Sequence, residues 1–154
     1  MASISYSDIY SSFLSKVEAY DLTDMVEDKA YLMMEEWLKS IKSNPRVRKM
    51  FSMFTFDNEI QTLEFKLNHS QGDDESDTGY VIELLGFGIA WRWVTPKYLS
   101  ILNTAQMLTG KEVKFYSQAN HMAELQNMYN QTKTEFYNLI RDYGVLYNGY
   151  LSES

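Results

Sequence analysis

The sequence predicts a mainly α-helical protein: a small helical bundle with a long C-terminal helix and one short β-strand or hairpin arm around residues 59–67. Three observations predict it. Apolar residues recur every three or four positions through most of the chain, the period of an amphipathic helix. The last of these patterns, residues 118–143, is the longest. Strict two-residue alternation is confined to residues 59–67, where Leu63, Phe65 and Leu67 point one way and Thr62, Glu64 and Lys66 the other.

The elements follow in order. Ser5 or Ser7 is placed to cap a first helix, with Asp8 near its positive end. Ile9, Phe13 and Val17 give that helix its apolar stripe, and it is expected to stop near Ala19 or Tyr20. Thr23 caps a second helix whose face is Val26, Ala30, Met33, Trp37 and Ile41, widened by Met34 and Leu38. Asn44-Pro45 ends it, because the residue before proline avoids the helical region. Val47, Met50, Phe51 and Phe54 are spaced for a short helix or helical turn over residues 46–56. Residues 68–79 are polar and acidic and read as a mobile loop. Residues 80–94 are nearly all apolar and long for a strand, so a buried helix is expected there. Thr95-Pro96 closes this helix and opens another, with Gly110 as its C-cap. Residues 111–116 form a short extended link. Ser117 then caps the final helix, which Gly144 terminates. No repeat or linker divides residues 1–154, so one domain is expected, with 145–154 as a C-terminal tail.

Composition narrows the function classes. Hydrophobic residues make up 45% and charged residues 23% of 154 residues, the balance of a globular domain with one core. The absence of cysteine excludes disulfides and thiolate metal sites. The longest apolar stretch, residues 84–93, is interrupted by Gly86, Gly88 and Arg92, and falls short of the about 20 residues a bilayer span needs. The first eight residues lack the basic and apolar regions of a secretion signal. No membrane partner is expected. The net charge of −7 argues against sequence-specific DNA binding, which draws on clustered Lys and Arg. The densest basic group is Arg46, Arg48 and Lys49. It reads either as a solvated face offsetting an acidic chain or as a contact for DNA phosphates or an acidic partner. Aromatics reach 15%, a class of side chain that serves both cores and interface centres.

Residues with catalytic potential are few. His69 and His121 lie far apart, one in the acidic loop and one near the start of the last helix. Asp73, Asp74, Glu75 and Asp77 lack the spacing of a calcium-binding EF-hand and read as a solvated turn. Gly86-Phe87-Gly88 lacks the third glycine, the lysine and the preceding strand of a phosphate loop. Glu35 and Glu36 are adjacent and diverge on a helix. Trp91 and Trp93 read as core, with a docking patch as the alternative. No catalytic residue, cofactor or metal is expected, and the chain reads as a binding protein.

Three stretches carry a resemblance. They are Tyr6-Ser7-Asp8-Ile9-Tyr10 with Phe13-Leu14-Ser15-Lys16, Ala90-Trp91-Arg92-Trp93-Val94-Thr95-Pro96, and Phe115-Tyr116-Ser117-Gln118-Ala119-Asn120-His121 before a long helix. Together they resemble the head-to-tail connector proteins of tailed bacteriophages, also called neck adaptor or head-completion proteins, and the likeness spans most of the chain. The resemblance implies a structural virion protein of the neck, made in the host cytoplasm. Copies of it would form a ring, a dodecamer, beneath the portal protein. It implies contact with stopper or tail proteins and with double-stranded DNA that passes without sequence recognition. It also implies portal docking through the C-terminal segment, here Val145, Leu146, Tyr147, Tyr150 and Leu151. The strand-like residues 59–67 are not required by an all-helical adaptor, and keep open a head-tail stopper or tail-completion protein. A small acidic regulatory binding module is the remaining alternative.

Overall fold

The computed structural model describes residues 2–17, 27–107 and 112–146. Side chains are described within them except at 27, 28, 30, 101–121 and 146. The expected features at Ala19, Tyr20, Thr23, Val26 and Gly110 lie outside the described residues, as do Tyr147, Tyr150 and Leu151. The elements are β1 (Ala2–Ser5), α1 (Tyr6–Lys16), α2 (Glu27–Lys42), α3 (Pro45–Arg48), β2 (Phe51–Asp57), β3 (Thr62–Leu67), α4 (Asp74–Met107) and α5 (Glu112–Leu146). The protein is mainly helical, with a long C-terminal helix and a small antiparallel sheet.

Ser5 caps α1, its hydroxyl accepting the Asp8 amide at 3.3 Å. The helix stops at Lys16, short of the expected Ala19 or Tyr20. Val17, a β-branched residue that favours extended backbone, takes φ −137° and packs on the core. In α2 the buried side chains are Met34, Leu38 and Ile41, while Trp37 is only partly covered. Asn44 caps α3 and Pro45 opens it, so the expected helical turn is present. It is shorter than expected, because Phe51 and the residues after it form a strand.

That strand, β2, pairs antiparallel with β3. β1 pairs with the other edge of β3, giving the order β1-β3-β2. Ile4 stands opposite Leu63 and Ala2 opposite Phe65; Phe54 and Phe56 stand opposite Phe65 and Leu63. A register shift between Phe51 and Met53 explains why β2 lacks clean alternation in sequence. Leu63, Phe65 and Leu67 are buried, so the inward face of the sheet is held on the helices.

α4 is the centre of the protein. It begins at Asp74, and the expected acidic loop is in large part its first turn. Asp73 accepts the Ser76 amide at 2.8 Å, which holds its carboxyl below the usual range. Asp74 and Glu75 sit where the helix dipole favours negative charge. Asp77 is buried and accepts the Gln71 amide at 2.6 Å. Nor does Thr95-Pro96 divide the helix. Pro96 lacks an N–H, and the Thr95 hydroxyl turns back to the Trp91 carbonyl at 2.6 Å. The apolar face continues past the proline onto α5, and this packing holds the two expected helices as one.

α5 runs antiparallel to α4, as shown by the ring pairs Tyr80–Tyr143, Trp91–Phe136 and Tyr98–Tyr129. It starts at Glu112, so residues 112–116 of the expected link and the Ser117 cap fall within helix. It also passes through Gly144, beyond the expected stop. At 1.5 Å per residue, α4 and α5 are each about 50 Å long. α1 and α2 meet α4 at Glu83, Gly86, Phe87, Gly88 and Trp93.

Two glycines set these approaches. A Cβ on Gly86 would lie 2.9 Å from Ser12 Cβ and 3.3 Å from the Phe13 backbone nitrogen. One on Gly88 would lie 3.0 Å from both Ile41 of α2 and Phe136 of α5. Alanine improves helix propensity by about 1 kcal/mol, but overpacking costs about 1–3 kcal/mol. Gly86→Ala is therefore expected to destabilise the protein, measured as a lower urea midpoint. An unchanged or raised midpoint would show that α1 can withdraw from α4 at no cost.

Three tyrosines are held neutral by their surroundings. Burial, then Glu35 and Asp57, push Tyr6 up to about 12. Burial chiefly raises Tyr10 and Tyr80 as well. The folded state thus keeps protons that the unfolded chain releases near pH 10, so this stabilisation is complete below pH 10 and is lost as pH rises towards 12. The melting temperature is expected to fall steeply over that interval. Tyr6→Phe should flatten part of the fall, and a curve it leaves unaltered would discount the Tyr6 contribution.

Candidate functional site

The sequence-predicted residues separate into two surfaces. The first is basic. Arg46, Arg48 and Lys49 are exposed on and just after α3. Of these, Arg46 lines an open cleft of about 790 Å³ with Lys39 of α2, Arg92 of α4 and Tyr137 of α5. Glu36 is the one acid among its lining residues. Arg48 and Lys49 are not part of it. The guanidinium of Arg46 sits 5.1 Å from the Tyr137 ring centre, and that of Arg92 sits 4.8 Å from the Trp91 ring centre. The two rings meet edge to face at 5.5 Å. Arg92 Nε is out of water and makes no hydrogen bond. Among the described residues, neither arginine has a carboxylate within ion-pair distance.

Sequence reasoning missed Lys39 and Arg92 as partners of Arg46. Arg92 is the lone cation of an apolar run, which was the one available signal. Its distance in sequence from Arg46 hid the match.

The second surface is the end of α5. Val145 and Leu146 belong to the last helical turn, not to a segment beyond a helix stop. Among the described residues Gly144 is not one of the positive-φ glycines, so the helix passes it in ordinary helical backbone. Val145 is 49% exposed. Just before it, Tyr143 anchors the helix: its hydroxyl accepts the His69 amide at 2.9 Å and donates to the His69 carbonyl at 3.2 Å. Its ring stacks on Tyr80, whose own hydroxyl donates to the Leu139 carbonyl at 2.7 Å.

The other candidates take structural places. Trp91 and Trp93 are 9% and 4% exposed, so the core reading holds and the docking patch does not. The acids of residues 73–77 start a helix. Among the described residues no three His, Asp or Glu come together as a metal site, and no helix is long and apolar enough to cross a membrane.

Comparison with protein-family models, curated proteins and solved structures returned no match for this chain.

The Tyr143 clamp is testable. Tyr143→Phe keeps the ring but strips both hydrogen bonds, at an expected cost of about 1–2 kcal/mol. Hydrogen exchange at the His69 amide should accelerate in parallel. Native protection at that amide would show that water replaces the hydroxyl without loss.

Proposed function

We propose that this chain is a structural protein of the phage neck, which forms a ring between portal and tail and surrounds the DNA channel. The observation that carries the reading is the α4–α5 hairpin. Its two helices, each about 50 Å long, pair from Tyr80–Tyr143 to Tyr98–Tyr129, while α1, α2 and the sheet cover one part of them. An elongated helical scaffold with a half-exposed apolar residue on its last turn suits a component that joins larger bodies. The resemblance of residues 6–16, 90–96 and 115–121 to head-to-tail connectors supplies the identity of those bodies.

In this reading the docking surface begins at Val145 and Leu146 and continues through Tyr147, Tyr150 and Leu151. Aromatic and aliphatic side chains in spaced positions are suited to a partner's groove. The net charge of −7 suits a channel wall, since like charge lets DNA pass without adhering. The three-stranded sheet favours a second reading, a stopper or tail-completion protein of the same neck, for which the attachment test below has a different outcome.

The test mixes purified protein with portal rings and images the product by electron microscopy. A closed ring seated beneath the portal is expected. A chain cut after Gly144 retains the Tyr143 clamp, so it should keep its helical circular dichroism and a cooperative unfolding transition while portal attachment is lost. Attachment by the truncated chain would refute docking through this segment. Binding to a preformed adaptor ring, with none to bare portal, would replace the adaptor role with the stopper role.

A further inference from the structure

The basic cleft has a chemistry of its own, separate from any contact at the end of α5. We infer that it is a receptor for an acidic peptide segment of a partner protein, whose carboxylates pair with Arg46 and Arg92.

Three observations carry this. First, three cations, Lys39, Arg46 and Arg92, face one concave space with Glu36 as the only lining acid, in a chain that is otherwise strongly acidic. Second, both guanidinium groups rest on aromatic faces, Arg46 on Tyr137 and Arg92 on Trp91, and those rings touch each other. A ring beneath a guanidinium fixes its plane and leaves the N–H edge open. That edge is the fork that binds a carboxylate through two parallel hydrogen bonds. Third, Arg92 Nε is desolvated and has no acceptor. Arg92 as a whole is half-buried, so its charge is partly desolvated without a counter-ion, a cost that a carboxylate paired with the outer edge of the guanidinium offsets. The volume, about 790 Å³, is that of a site for a few side chains.

The geometry favours a peptide over duplex DNA. A duplex presents its charge along a rod many phosphates long and draws on many cations, whereas only three cations are gathered in this one open cleft. The net charge of the chain also repels a dense polyanion at distances beyond the cleft. An extended peptide needs only two carboxylates to reach both arginines.

The probe is a fluorophore-labelled, end-blocked hexaglutamate peptide, read by fluorescence anisotropy at low ionic strength with the full chain. Saturable binding is expected, weakening as salt is added. R46Q and R92Q should each weaken it by about tenfold or more. Arg46 is exposed, so R46Q keeps the test valid even where R92Q disturbs the fold. The pair R48Q and K49Q, outside the cleft, should leave affinity within about twofold. Absence of saturable binding overturns the proposal. So does an R46Q protein that binds as well as the parent, or a DNA duplex that binds more tightly and loses its affinity through the same variants. The neck reading stands or falls separately, because portal attachment of R46Q reports on the end of α5 alone.

Discussion

The constraint on which the structure depends is the distance at which other helices meet α4. A helix that is apolar on nearly every side must be covered on every side. Val81, Leu84, Leu85, Ile89, Ala90 and Val94 are all buried, so α1, α2, α5 and the sheet crowd around a single axis. Side chains of ordinary size on every face of α4 would hold these partners apart. Gly86 admits α1 at Ser12, and two residues later Gly88 admits Ile41 and Phe136 from two helices at once. The glycines weaken α4 as an isolated helix and strengthen the packing of its neighbours. Lys16 then closes the α1 crossing, with its ammonium 3.0 Å from Glu83 and over the Phe87 ring.

Long-range packing also decides where the sequence was readable. Helical periodicity located α1, α2 and α5, and alternation located β3, because in each of these one face is buried and the other is wet. Three signals misled. Pro96 reads as a boundary because a proline lacks the amide its turn requires, yet apolar contact with α5 on both sides of it outweighs one missing hydrogen bond. Gly144 reads as a stop, yet Val145 continues the helix. The acids of residues 73–77 read as a solvated loop because their charge and the glycines at 72 and 79 outweighed a local signal that was present, an Asp73 cap followed by acids in the first turn. β1 gave almost no signal: it has four residues and a single buried apolar one, Ile4, and owes its existence to the exposed edge of β3.

The same logic applies to the basic cleft. Arg46 stood out through its neighbours Arg48 and Lys49, but proximity in sequence paired it with the wrong cations. In the folded chain its companions are Lys39, near the end of α2, and Arg92, inside the most apolar segment. A cation in such a run costs free energy unless something offsets it. Here the Trp91 face offsets part of that cost, leaving the Nε donor unmatched. Arg92 is half-buried at the lip of the cleft, so its stem packs on the apolar helix while the rest of its guanidinium stays within reach of the ligand proposed above.

α5 connects the two surfaces. Tyr137 lines the cleft, and Val145 lies eight residues further on, about 12 Å along the axis. Between them Tyr143 fixes the helix to the His69 backbone, while Phe136 fixes it against Gly88 and Trp91. The segment joining cleft and helix end is therefore held at two points, by Phe136 before it and by Tyr143 within it. A partner seated against Tyr137 and another seated against Val145 would meet surfaces whose separation is set by helix geometry. Such spacing suits the connecting role proposed above, and the contact of Phe136 with Gly88 holds its cleft end against α4.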